Sequence, residues 1–142
     1  MSFRTFAATG APSSPPAAAG YQPGVCNIGP EEIARRRRAG HIGLLATLTL
    51  FAILVVADAP PILRLLLALP AITAASGYLQ AWFRFCAGFG ARGIFNFGPV
   101  GPVEPVAHAD ARARDRVRAW QIGLASLVLG VAVAVVAVVL RV

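Results

Sequence analysis

Four residues in this chain carry the side chains best suited to chemistry: Cys26, Cys86, His41 and His108. A thiolate is a nucleophile and a metal ligand, and two thiols that meet form a redox or persulfide pair. The cysteines lie 60 positions apart, so they meet only if the chain turns back once between them. The other reading is two unconnected thiols. The four residues together have no CxxC, HxxxH or comparable spacing, and no metal site is expected. A single histidine such as His41 can serve as an axial ligand to haem, but alone it defines no site.

The motifs of the common enzyme classes are missing. No GxSxG elbow and no phosphate-binding loop occur. Gly88-Phe89-Gly90-Ala91-Arg92-Gly93 matches GxGxxG in letters, without the strand before it that dinucleotide binding requires. The expectation is a non-enzymatic protein with no resident cofactor and no small-molecule substrate.

The elements that must position these residues are unusually plain. Three runs, residues 40–57, 65–83 and 119–140, contain no Asp, Glu, Lys or Arg, and each is close to the ~20 residues that a helix needs to cross the ~30 Å apolar core of a bilayer. Hydrophobic residues make up 57% of the 142-residue chain and charged residues 13%, about half the proportion of a soluble domain. The fold class expected is all-α and integral to a membrane. Its hairpin is 40–57 and 62–83, its third helix is 119–140, and the lipid bilayer is its first partner. No acidic residue falls in any apolar run, which disfavours an ion or proton relay.

Local signals fix the boundaries. Residues 1–25 form a Pro/Ala-rich tail expected to be disordered. No secretory signal peptide is expected, because the first 24 residues lack an apolar core. Gly29 and Pro30 open the first helix, with Glu31 and Glu32 in its first turn, where the helix dipole favours negative charge. Ala59-Pro60-Pro61 closes it and leaves a short hairpin turn. Arg64 then stands at the outer end of the second span, placed to snorkel toward headgroups, and Pro70 predicts a kink. The Gly- and Phe-rich stretch 85–98 is too short to span and reads as an interfacial or re-entrant segment, its phenylalanines against lipid or the hairpin. Residues 99–118 form a loop and a short basic helix that lead into the third span.

Small residues recur every fourth position at Ser126, Gly130 and Ala134, and again at Thr73, Gly77 and Ala81. Such stripes let helices approach closely, so spans two and three are expected to pack through them.

All 13 basic residues are arginine, and the net charge is +7. Arginines placed beside spans point to topology rather than to nucleic acid. Arg35, Arg36, Arg37 and Arg38 precede the first span, and Arg84, Arg92 and the cluster 112–118 lie between the second and third. The opposite side has only Arg64 and Arg141. The positive-inside rule therefore places the N-terminus in the cytoplasm and the C-terminus outside, in a bacterial inner membrane. Arg35–Arg38, Trp82, Arg84 and Trp120 are the expected interface residues.

Cys26-Asn27-Ile28-Gly29, with Glu32-Ile33, Arg36-Arg37 and Gly40 after it, resembles the entry of the YgaP-type transmembrane domain family. Phe85-Cys86-Ala87-Gly88-Phe89-Gly90 and Gly93-Ile94-Phe95-Asn96 resemble the segment that closes that hairpin. The likeness covers residues 26–98 and implies a self-associating two-helix membrane module with cytoplasmic ends. Ala87 stands where the family usually has Pro, and the third span, 119–142, is an addition. The rhodanese domain that accompanies some members is absent from this sequence, so its activity does not carry over.

Three functions fit. The leading one is a non-catalytic scaffold or accessory subunit, a homo-oligomer or part of a larger membrane complex, suggested by the missing catalytic motifs and the small-residue stripes. The second is thiol or persulfide handling, or redox sensing, through Cys26 and Cys86. The third is a cofactor-binding subunit of an electron-transfer or photosynthetic complex, with His41 as ligand.

Overall fold

The computed structural model describes residues 20–140, and 72% of these described residues are helical. Helix α1 spans Pro30–Val56, a 3-10 stretch spans Pro61–Leu67, α2 spans Ala68–Trp82, α3 spans Ala87–Arg92 and α4 spans Ala109–Val139. A two-stranded antiparallel ribbon joins β1 (Ile94–Phe95) to β2 (Glu104–Pro105), with Ile94 opposite Pro105 and Phe95 opposite Glu104. Among the described residues, three helical stretches are long and apolar enough to cross a membrane: Pro30–Val56, Pro61–Trp82 and Ala109–Val139. Most of each apolar window faces outward, as expected of helices in lipid rather than in a soluble core.

The ends of the first two helices follow the same physical rule. After α1, Asp58 turns left-handed (φ 50°), its N–H donates to Val55 O and that of Ala59 to Leu54 O. After α2, Arg84 does the same (φ 52°), with Arg84 N–H to Ala81 O and Phe85 N–H to Gln80 O. Both are Schellman closures, which satisfy the last carbonyls and usually place Gly at the left-handed position.

Pro70 does not kink a continuous helix. The second span begins as 3-10 helix and becomes α-helical only at Ala68. Proline at 70 cannot donate to the carbonyl at 66 and its ring crowds that carbonyl, so the preceding turns take the tighter form. The basic segment 109–118 is likewise no separate helix. It is the first three turns of α4, which runs unbroken into the apolar stretch.

Helix α2 lies between α1 and α4. Toward α1 it presents Gly77, where an added Cβ would meet Gly40 Cα at 2.6 Å and Arg36 O at 2.7 Å. Gly40, Gly43 and Thr47 form the matching stripe on α1, all buried. Toward α4 it presents Ile72, and a Cβ on Gly130 would meet Ile72 N at 2.6 Å. The stripe Ser126, Gly130, Ala134 therefore does pack on α2, with Ser126 Oγ satisfied by Ile122 O at 2.7 Å. The expected partner stripe is corrected. Gly77 and buried Ala81 do not meet it as a set: Gly77 serves α1, and Thr73 is exposed, its hydroxyl donating back to Leu69 O. Helix geometry explains this, since α2 must show one small-residue face to each neighbour.

Arg64 does not snorkel outward. It is 4% exposed, lies over Phe51 and donates to Ala137 O and Leu140 O at 3.0 and 2.8 Å. A cation there complements the last carbonyls of α4. Around it Leu67, Ala134 and Ala137 pack with Leu50 and Phe51.

The opposite, polar end is a knitted cap. Of the two placements expected for its phenylalanines, Phe85, Phe89 and Phe95 take the one against protein and are buried. Phe85 packs on Ala119 and Ile122 of α4, and Phe95 on Val106 and Ala111. Residues 20–25, read above as part of the disordered tail, are ordered here. Tyr21 stacks on Phe95 at 4.8 Å, its hydroxyl donates to Asp115 Oδ2 and the Gly24 N–H to Asp115 Oδ1, both at 2.7 Å. A buried carboxylate without donors would be costly, and these two donors satisfy it. Residues 1–19, the remainder of the expected tail, and Arg141 lie outside the described residues.

Candidate functional site: an enclosed thiol beside an arginine–glutamate pair

The most elaborate polar grouping in the cap centres on Cys86. Its position is fixed from residue 27 onward. Asn27 is fully buried and uses its side-chain amide as a surrogate backbone: Oδ1 accepts from Cys86 N–H at 2.7 Å and Nδ2 donates to Cys86 O at 3.1 Å. Its own N–H donates to Arg84 O and its carbonyl accepts from Asn96 N–H. Every polar group of Asn27 is thereby satisfied, as burial demands. Gln80 adds a second anchor, its Oε1 accepting from Ala87 N–H at 3.0 Å.

Held this way, Cys86 is the N-cap of α3, with Sγ accepting from Phe89 N–H at 3.4 Å. A guanidinium N–H of Arg36 donates to the same sulfur at 2.9 Å. Arg36 comes from the second turn of α1 and is itself paired with Glu32, one turn earlier, at 3.5 Å. Glu32 is 1% exposed and also meets Arg35 at 3.4 Å. Arg36 and Arg92 both lie 5.7 Å from the centre of the Phe89 ring. A cavity of about 500 Å³ adjoins the group, lined by Glu32, Arg35, Arg36, Gln80, Cys86 and Arg92 among others. Three arginines and one glutamate leave this wall formally positive beside the sulfur.

Glu32 is buried and Arg36 one-fifth exposed, so the pair runs from the interior of the cap to the edge of this cavity. What the arrangement can do is hold a sulfur that accepts hydrogen bonds from two N–H donors. At 2% exposure that sulfur meets only small reagents.

The sequence-derived candidates distribute unevenly over this geometry. Cys26 and Cys86 are both free, and each sulfur has its own surroundings: Cys26 Sγ donates to Ile28 O at 3.8 Å and lines a different cavity. The two thiols are not joined in the single chain; it is Asn27, next to Cys26, that bonds the backbone of Cys86. Of the expected interface arginines, Arg37 and Arg38 are exposed, while Arg36 is turned inward and Arg35 pairs with Glu32. Trp82 and Trp120, the expected interface tryptophans, are 83% and 78% exposed. His41 accepts or donates a 2.7 Å hydrogen bond with the Tyr78 hydroxyl, the rings edge to face at 5.4 Å. His108 is the N-cap residue of α4. Among the described residues no group of three His, Cys, Asp or Glu side chains is placed to hold a metal.

Sequence reasoning missed Glu32, Asn27 and Asp115 as buried polar anchors. Asn27 alone carried a signal, being next to Cys26 in the entry motif. Tyr21 was hidden in the tail; burial, reinforced by its bond to Asp115, pushes its phenol well above the usual value.

Comparison of the chain with protein-family models, curated proteins and solved structures gives no match in any of the three.

Proposed function

We propose that this protein sits in a bacterial inner membrane on its three long helices, with the cap in the cytoplasm, and that it senses small oxidants through Cys86. The membrane reading rests on the length and apolarity of the helices and on the arginines gathered at the cap end. The sensing reading is carried by one observation, the 2.9 Å contact of Arg36, which is paired with buried Glu32, to Cys86 Sγ at the wall of a positive cavity. The sulfur attacks one oxygen of hydrogen peroxide. An S–O bond forms as the O–O bond breaks, sulfur loses two electrons, and the departing oxygen takes a proton to leave as water. Two equivalents of a small cytosolic thiol restore the cysteine, giving a disulfide and water. Cys86 is then a reactant and not a catalyst, and enclosure disfavours sulfur transfer to it from a protein thiol.

The test uses the full chain in lipid nanodiscs, treated with peroxide and the sulfenic-acid trap dimedone, with peptide mapping. Cys86 should be labelled well before Cys26. Loss of a charge-assisted hydrogen bond in Arg36→Gln should slow labelling on the order of tenfold or more. Labelling confined to Cys26, or a rate unmoved by Arg36→Gln in a folded variant, sinks this reading.

An accessory subunit is the second reading, favoured by an apolar groove of about 380 Å³ between α1 and α4, lined by Thr47, Phe51, Leu67, Leu129, Val133 and Val136 among others. Because the small-residue stripes are used inside the chain, self-association or partner binding would engage these outward faces. Native mass spectrometry of gently extracted protein decides: a strictly monomeric particle without a partner rejects it.

A further inference from the structure

A second cavity at the cap end, of about 1120 Å³, carries a different chemistry. It lies between residues 20–30, the start of α1, the end of α2 and Arg118 of α4. Its lining includes Arg37, Arg84 and Arg118, the exposed Trp82 and Phe83, and no acidic residue. Among the described residues, arginine pairs with carboxylates at Arg35, Arg36 and Arg114, none of them in this cavity. Residues 1–19 contain no Asp or Glu to supply a counter-charge.

One of the three arginines is held in place, and the backbone of a second is unusual. Arg118 lies 4.3 Å over the Phe83 ring, and its buried Nε has no hydrogen-bond partner among the described residues. Arg84 occupies the left-handed position that ends α2, where Gly or Asn is the usual choice. A non-glycine residue retained in such a conformation is a reason to look for a role. The level of the site along the helices is set by Trp82 within it and Trp120 two residues beyond Arg118, both exposed at the end of an apolar span.

From these observations we infer that this cavity binds the headgroup of one anionic phospholipid. Arg37, Arg84 and Arg118 hold the phosphate, Trp82 lies at the level of the glycerol, and the acyl chains run down the outward faces of α1 and α2. Basic pockets between membrane helices on the cytoplasmic side recognise anionic headgroups by this combination of charge and depth. The inference rests on membrane insertion but not on the chemistry of Cys86.

The experiment is native mass spectrometry of the full chain from nanodiscs holding equal amounts of phosphatidylglycerol and phosphatidylcholine. One phosphatidylglycerol should stay bound after partial delipidation. The double variant Arg37→Gln/Arg118→Gln should weaken retention about 30-fold, at roughly fivefold per arginine. Arg38→Gln/Arg116→Gln removes the same charge from exposed positions of the same end and should change it by less than that of one site arginine. Glycerophosphate added in excess should not displace the lipid. Equal retention of the two lipids in the wild type overturns the proposal without recourse to variants. Equal losses in the two double variants would mean diffuse surface attraction, and displacement by glycerophosphate would mean a site for free phosphates; either overturns it.

Discussion

Replacing Gly77 by alanine tests the packing that places Arg36 against Cys86. The new Cβ would lie 2.6 Å from Gly40 Cα, 0.8 Å short of the 3.4 Å at which such contacts become ordinary, and 2.7 Å from Arg36 O. Neither atom belongs to a flexible side chain, so α1 and α2 must part. Overpacking of this kind costs about 1–3 kcal/mol. Alanine also gains about 0.5–1 kcal/mol over glycine in a helix interior, which masks part of that cost. Gly123→Ala is the control. Nothing lies within 4 Å of a Cβ there, so that variant receives the helix gain alone. The stability difference between the two variants therefore isolates the overpacking cost, about 1–3 kcal/mol. Unfolding by sodium dodecyl sulfate in mixed micelles, followed by far-ultraviolet circular dichroism, measures it. Because Arg36 lies in the turn that must move, Gly77→Ala should also slow dimedone labelling of Cys86, whereas Gly123→Ala should not. Equal stability shifts in the two variants would refute the close α1–α2 approach and the argument that positions Arg36.

Two further expectations concern the N-terminal segment of the cap. Asp115→Ala removes the acceptor of both Tyr21 and Gly24 and should cost about 1.5–3 kcal/mol, read as faster hydrogen exchange over residues 21–26 with little change in the spans. Alkali should release the same segment. The Tyr21 phenol is raised in the folded state by burial and by its bond to Asp115, so it stabilises the fold fully below the unfolded value near 10, and that contribution is lost as pH rises through the folded value. A phenolate absorbance titration of wild type against Tyr21→Phe should show one late-ionising tyrosine; early ionisation of Tyr21 would contradict the geometry.

What was legible in the sequence is the part governed by local rules. The three uncharged runs end within a residue of the helices' last residues, and the Pro30 start and the Pro60-Pro61 break fall where α1 begins and the turn after it lies, while the start of α4 at Ala109 lies ten residues before its run. The cap was illegible because its contacts join residues far apart, Asn27 with Cys86 and Tyr21 with Asp115. Its buried charges also look like surface charges in sequence: nothing in Glu-Glu-Ile-Ala-Arg-Arg-Arg-Arg marks Glu32 and Arg36 as the inward pair. Helical period does put positions 32 and 36 on one face, but it does not say which face is covered. The stripe on α4 was visible at its period of four, whereas its partner was misassigned because one-dimensional spacing does not tell a middle helix which neighbour each face serves. Gly40, Gly43 and Thr47, the stripe that completes the hairpin, passed unnoticed among larger apolar residues.

Arg64 acts as a register pin between the second helical stretch and the far end of α4. The carbonyls that receive its guanidinium belong to Ala137 and Leu140. Apolar faces slide past one another at little cost, whereas two hydrogen bonds to named carbonyls are lost by a slip of a single turn, about 5.4 Å. The small-residue stripe on α4 sets how near that helix comes to α2, and Arg64 sets how far along it sits.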